Sequence, residues 1–155
     1  KRYRIPATSH QISSLYRLLL TARNSAIAAG STATLCPLKN NACINDWSQA
    51  VYVFTDHNNN KALDQENGER IIAMKSAISK NDKLQYGKYG NAITYNPIGH
   101  LAGWGQNGTF KYCPHNHANK SRGIRVAVSG RIYQSFNKGE GKQDKVRDNS
   151  YIICK

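Results

Sequence analysis

The sequence predicts an α+β fold in which one N-terminal amphipathic helix packs on antiparallel β-sheets in a sandwich-like arrangement. Residues 9–29 carry apolar side chains at helical spacing, whereas residues 32–155 divide into short β-rich runs separated by Asn, Gly or Pro. One helix followed by many short strands is typical of the α+β class. With 155 residues and 39% hydrophobic content, the chain can bury one sizeable core, so we expect a single domain over residues 1–155.

The predicted helix begins at a capping-box pattern and ends at a glycine. Thr8 is followed three residues later by Gln11, and Gly30 comes after a run without proline. Arg23 falls on the apolar face, where its guanidinium must reach solvent or find a carbonyl or carboxylate partner, and we expect it to reach solvent. The apolar face is formed by Ile12, Leu15, Tyr16, Leu19, Leu20, Ala22, Ala26 and Ile27.

An Asp- and Asn-rich turn between two apolar runs predicts a β-hairpin over residues 47–72. Residues 51–54 have the aromatic and β-branched side chains of a half-buried strand, and Asx side chains reverse the chain by bonding their own backbone. Residues 137–149 are polar and charged and predict a loop. The runs that favour strands are residues 33–36, 50–55, 70–74, 83–86, 92–95, 108–113, 123–128, 130–135 and 151–154.

Two groups of residues superficially suggest metal sites, and neither has a complete ligand set. In the hairpin turn, Lys61 takes the place of the glycine of a calcium loop and Asn67 that of its bidentate glutamate, so a hydrogen-bonded turn is favoured. Residues 113–117 offer one Cys and two His, whereas a closed zinc site needs four ligands. No nucleophile with a base and an orienting group is recognisable, so we predict no enzyme, cofactor or metal. The oxygen-bearing residues of the turn are Asp56, Asn58, Asn60, Asp64 and Glu69, and the zinc candidates are Cys113, His115 and His117.

The cysteine content indicates an oxidising compartment. The chain has four cysteines, Cys36, Cys43, Cys113 and Cys154, and an even set of this kind is typical of disulfides. Three pairings are possible and the sequence selects none of them. A bridge between the first two would close a loop of about eight residues and one between the last two about forty, worth about 2.5 and 4 kcal/mol in the chain-entropy model.

The charge distribution favours a polyanionic partner. The formal net charge is +13, and residues 111–155 hold ten Lys or Arg and three Asp or Glu, a net of +7. Tyr133, Phe136 and Tyr151 could stack on exposed bases. The alternative is a solvated basic edge strand, which protects a sheet from aggregation. The candidate phosphate-binding residues are Arg122, Arg125, Arg131, Lys138, Lys142, Lys145 and Arg147.

Several motifs resemble, in fixed order, those of the GspH/FimT family of pilin-like proteins, which comprises minor type IV pilins and type II secretion pseudopilins. They are LTARNSAIAAGSTATLCP at 20–37, Trp47 with VFTD at 53–56, YNPIG at 95–99, NGTFKYC at 107–113 and GIRVAVSGRIY at 123–133. DNA-binding FimT proteins carry Gly-Arg-x-Arg, whereas this chain has Tyr133 in place of the second arginine.

The resemblance implies a pilin-like fold and a structural role in the tip or initiation complex of a type IV pilus, with DNA bound non-specifically for uptake in natural transformation. The alternative is a pseudopilin of a type II secretion system that binds no DNA. Together with proximity in sequence, the resemblance favours the pairs Cys36–Cys43 and Cys113–Cys154.

The resemblance also implies where the protein acts. The chain itself contains no apolar run of about 18 residues and no signal peptide. Pilin-like precursors carry an N-terminal apolar helix, so the resemblance implies that such a helix precedes residue 1. This helix would anchor the protein in the inner membrane of a Gram-negative bacterium. The domain would face the periplasm, then the exterior in the assembled pilus, with other pilins or pseudopilins as partners.

Overall fold

One long helix lies across two antiparallel sheets, which confirms the predicted α+β architecture. The computed structural model describes residues 5–87, 91–136, 145–146 and 151–154. The helix α1 spans Ile5–Ala29. The strands are β1 (Ala33–Lys39), β2 (Ala42–Cys43), β3 (Val51–Thr55), β4 (Ile71–Lys75), β5 (Lys83–Tyr86), β6 (Ile93–Tyr95), β7 (Gly108–Cys113), β8 (Arg122–Val126) and β9 (Ile132–Gln134).

The helix begins earlier than the sequence predicts. Thr8 lies inside α1, where its side chain is 2% exposed and its Oγ1 has no hydrogen-bond partner within the described part of the chain. The predicted capping box was wrong because the chain is already helical from Ile5, so the hydroxyl of Thr8 has no free N-terminus to cap. The predicted C-terminal stop is confirmed, since Gly30 follows α1 with a φ of 62°.

The first sheet has the strand order β2-β1-β3-β4, with β6 paired to β1, and the second has the order β5-β7-β8-β9. All the pairs are antiparallel. The predicted strand at 151–154 is wrong, since only Tyr151 forms an isolated bridge, to Lys145. This segment instead crosses the outer face of the second sheet, where Ile152 is fully buried beside Gly123.

The main core lies between α1 and the facing sides of the two sheets. Predicted helix residues such as Leu15 and Leu19 are buried against strand residues such as Val53 and Ile124. Ile27 departs from the prediction, since it is 49% exposed and lies beside Gly99 outside the main core. The buried residues of α1 beyond Thr8 are Ile12, Leu15, Leu18, Leu19, Ala22 and Ala26.

The predicted hairpin is confirmed as β3 and β4, and its turn is held by carboxylates that accept backbone hydrogen bonds. Asp56 is fully buried and accepts from the Oγ1 of Thr34 at 2.7 Å and from the backbone of Asn60 and Lys61. Glu69 accepts from the backbone N–H of His57 and of Asp64, each at 2.8 Å. The turn is therefore built by its own hydrogen bonds, as the Asx pattern indicates.

Both predicted disulfides are confirmed. Cys36 is bonded to Cys43, and Cys113 to Cys154. The second bridge ties the C-terminal segment to the end of β7 and engages the sulfur of the zinc candidate Cys113. Across the described ranges, no group of three or more His, Cys, Asp or Glu side chains is placed to hold a metal.

Candidate nucleic-acid interface

Three of the basic residues of the second sheet lie on its outer face. Because strand side chains alternate, the buried Phe110 and Tyr112 of β7 face the helix and leave Lys111 on the outer side. Arg125 of β8 lies on the same side, where its Nη1 is 3.5 Å from the Oγ1 of Thr109. Together with Lys83 of β5, they line a groove of about 980 Å³.

Two acidic residues, Asp46 and Asp82, also line this groove, and both are held by hydrogen bonds within the domain. Asp46 accepts from the hydroxyl of Ser48, which lowers the pKa of this carboxyl, and from Gln49. Asp82 accepts from the hydroxyl of Tyr112 and from a backbone N–H. Among the described residues, the groove thus has three basic side chains against two carboxylates, which leaves a small positive excess for phosphate.

Arg122, in contrast, points toward the helix. It shares a strand face with the buried Ile124 and Val126, and its Nη1 donates to the Oγ of Ser9 at 3.0 Å. Ser9 lies in the first half of α1. Arg122 therefore ties β8 to the helix and lies across the sheet from Arg125.

Arg131 lies at the opposite end of the domain, in the turn between β8 and β9. The Tyr95 hydroxyl donates to the carbonyl of Gly130 at 3.0 Å. The Nε of Arg23 donates to the carbonyl of Gly99 at 2.9 Å. Arg23 thus has a carbonyl partner, whereas we expected it to reach solvent. Ser9 and Arg23 are 14 positions apart in α1, which corresponds to about 21 Å along the helix. The contact of Arg122 with Ser9 and the turn of Arg131 near Arg23 therefore lie at opposite ends of the domain.

The remaining basic candidates belong to the C-terminal segment. Lys145 is described, and its Nζ lies 4.6 Å from the centroid of the Tyr151 ring. Lys138, Lys142 and Arg147 lie outside the described residues, as does most of the predicted loop 137–149. The structure thus places Arg125 in the outer groove, Arg122 against the helix and Arg131 at the far turn, and these three do not form one cluster.

A second basic site, at Lys75, was missed by sequence reasoning. Lys75 is only 6% exposed, because it pairs with the buried Val51 and faces the core side of the first sheet. The alternation of strand side chains places Ala73 and Lys75 on the same side of β4, but the pairing with β3 decides that this side is buried. Burial lowers the pKa of Lys75 from 10.5 to about 8.

Replacing Lys75 by methionine is expected to stabilise the domain by about 1 to 3 kcal/mol at pH 7, because an apolar side chain of similar length avoids the cost of a buried charge. In the wild type the folded state loses the Lys75 proton at about pH 8, while the unfolded chain keeps it until about 10.5. The free energy of unfolding should therefore rise with pH across this window, and Lys75→Met should lack this rise.

Urea unfolding of both proteins at pH 7, 8, 9 and 10 measures the difference. Comparison with the variant is required because burial also raises the pKa of Tyr95 to about 12, so stability falls once unfolded tyrosines ionise. An equal stability difference at every pH would contradict the prediction.

Comparison with known proteins identifies the family. Residues 11–130 match the family model described as type II transport protein GspH. The chain belongs to the GspH family. This confirms the resemblance seen in the motifs, and the matched region of this GspH-family domain ends at Gly130, one residue before Arg131.

The fold is similar to solved structures of pilin-like proteins. The type IV minor pilin FimU of Pseudomonas aeruginosa PAO1, in space group P21, matches with a TM-score of 0.65 and 15% identity over 82% of this chain and 87% of that chain. A second crystal form of FimU, in P65, gives 0.62 and 16% over 81% and 90%. The minor pseudopilin EpsH from the type 2 secretion system of Vibrio cholerae gives 0.56 and 11% over 83% and 95%.

No curated protein sequence matches this GspH-family chain. No described helix is both long and apolar enough to cross a membrane.

Proposed function

We propose that this domain is a structural subunit of a type IV pilus, a minor pilin of the tip or initiation complex, whose mechanism is assembly without turnover. The supporting observation is the family match together with a fold similar to that of the minor pilin FimU. In this proposal, an apolar helix preceding residue 1 anchors the protein in the inner membrane and later packs in the filament. The domain then contacts other minor and major pilins.

Deletion of the gene in the source bacterium tests the structural role. We expect fewer surface pili by electron microscopy, restored by a plasmid copy, and the protein itself in sheared pilus fractions. The similarity to EpsH supports the alternative of a secretion pseudopilin. Normal piliation with loss of secreted proteins from the medium would favour that alternative, and no change in either would contradict both.

We further propose that the domain binds DNA non-specifically, as uptake during natural transformation would require. The net charge of +13 supports this, as does the outer groove with Lys83, Lys111 and Arg125. Since Arg131 and Arg125 lie on different parts of the surface, DNA would contact the outer groove and the turn of Arg131 as separate patches. Phosphate contacts of this kind carry no sequence information.

Gel retardation of duplex DNA over a salt series measures this activity. If four to six phosphates are neutralised, the logarithm of the affinity should fall with the logarithm of salt at a slope of about −4 to −5. We expect the triple variant Arg131→Ala, Lys142→Ala, Lys145→Ala to weaken binding and to make this slope less steep. The double variant Lys111→Ala, Arg125→Ala tests the groove in the same way.

A matched control removes the same charge from another surface. Lys39→Ala with Arg70→Ala also deletes one lysine and one arginine, both exposed and both on the first sheet side of the domain. Equal losses in the control and in the groove variant would show that only net charge matters. No retardation at low salt would remove the DNA-binding proposal and leave the structural one.

A further inference from the structure

Lys75 occupies a position that strand geometry assigns to the core. Its neighbour on the same side of β4, Ala73, packs against the main core, and its partner across the β3–β4 pair, Val51, is fully buried. The Nζ of Lys75 donates to the carbonyl of the adjacent Ser76 at 3.0 Å. An ammonium group has three donors, so this local contact uses one of them.

Lys75 lines a groove of about 460 Å³ between α1 and β4. The helix side contributes Arg17, together with the hydroxyls of Ser14 and Thr21. The Nη2 of Arg17 lies 3.5 Å from the Oγ of Ser14, which keeps the guanidinium on the helix surface beside the groove. The residues that line the groove are His10, Gln11, Ser14, Arg17, Leu18, Thr21, Ala73, Met74, Lys75 and Ser76.

Among the described residues, the groove is lined by two charged basic side chains, Lys75 and Arg17, with the imidazole of His10 beside them, and by no carboxylate. None of the lining residues is Asp or Glu, although buried lysines are normally paired with an acidic group because an isolated buried charge is costly. Such a cost, at the one buried position of an otherwise exposed edge strand, is typical of a functional site. An oxyanion entering the groove would supply the missing acceptor for Lys75 and would contact Arg17 as well.

The surface beside the groove indicates what carries the oxyanion. Met74, which lines the groove, is 49% exposed, and Ile72 on the same edge strand is 38% exposed. These exposed apolar side chains are suited to contact with a protein partner. Since this chain has 22 basic and 9 acidic residues, an acidic partner surface is complementary to it.

We propose that the groove between α1 and β4 binds a carboxylate, an Asp or Glu side chain of a neighbouring filament subunit, through Lys75 and Arg17. The identity of the carrier rests on the proposed assembly function, whereas the carboxylate site itself does not. The contact would fix the position of a neighbour against the helix, since an ion pair held between two basic groups specifies orientation.

Acetate is the probe for the site in the isolated domain. In thermal unfolding at pH 7 and constant ionic strength, replacing 100 mM chloride by acetate should raise the Tm by about 2 to 4 °C if acetate exceeds its Kd about fivefold. Lys75→Met and Arg17→Gln should each abolish this shift, while Lys39→Met, at an exposed lysine on the end of β1, should keep it. No shift with acetate, or a shift with phosphate alone, would overturn the carboxylate site.

Cross-linking tests the source of the carboxylate. Carbodiimide treatment of sheared filaments that contain the full-length protein should join Lys75 to an Asp or Glu of another subunit, as identified by mass spectrometry. Filaments with Lys75→Met should lack this product. A Tm shift in the domain without a cross-link in filaments would rule out the neighbouring subunit, whereas absence of the protein from filaments would instead contradict the proposed function.

Discussion

Replacing Gly130 by alanine is expected to destabilise the domain by more than about 3 kcal/mol, a large fraction of the stability of a domain this size. Gly130 has a φ of 87°, where side chains are strained, and a Cβ would overlap the carbonyl oxygen of Gly99. Neither backbone can easily yield, because Gly130 is bonded to Tyr95 and Gly99 to Arg23. The substitution therefore pushes the β8–β9 turn of the second sheet away from the turn that follows β6 of the first sheet.

Gly68→Ala provides a matched control for this experiment. Gly68 has a nearly identical φ of 84°, but a Cβ there would meet nothing within 4 Å. This variant should lose only the stability that backbone strain costs, about 1 to 2 kcal/mol. Urea unfolding followed by Trp47 fluorescence measures both, since Trp47 is 2% exposed and the other tryptophan, Trp104, is 101% exposed. Equal losses in the two variants would contradict the proposed packing of the turns.

Removing the Cys113–Cys154 bridge with a double serine variant is expected to cost about 4 kcal/mol, because the unfolded chain gains the freedom of a long loop. The two cysteines are 41 residues apart. The bridge also holds the C-terminal segment in which Ile152 is buried, so its loss should expose that side chain. We expect a lower urea midpoint and faster proteolysis near the C-terminus.

The other disulfide serves as the comparison. Cys36 and Cys43 are only 7 residues apart, so the same double substitution there should cost about 2.5 kcal/mol. An equal or reversed order of the two losses would show that loop entropy does not govern the contribution of the bridges. Both variants are measured under the same non-reducing conditions.

Much of the fold could be predicted because its signals are local. The period of Leu15 and Leu19 indicates a helix regardless of what covers it, and the Asx turn after residue 55 defines a hairpin by bonding to itself. The error at Thr8 has a local cause as well. A capping pattern indicates that a helix can begin at that residue, but it does not show that the preceding residues are non-helical.

The candidate site was harder to predict, because it depends on where each strand points its side chains. Arg122 and Arg125 are close in sequence, yet one binds Ser9 of the helix and the other lines the outer groove. Lys75 was overlooked because its burial follows from its pairing with Val51 across a hairpin. A charge count gives only the total of +13, whereas binding depends on which charged side chains lie on the same surface.

The sequence by itself determined the fold class, the hairpin, the even set of cysteines and the basic character of the chain. These follow from backbone periodicity and side-chain chemistry, which act between residues a few positions apart. Only the tertiary structure decided that Arg131 lies far from Arg122, that Gly130 meets Gly99, and that Lys75 lines a groove with no carboxylate among its described residues. Those contacts depend on strand register and on packing between residues distant in sequence, which local patterns do not encode.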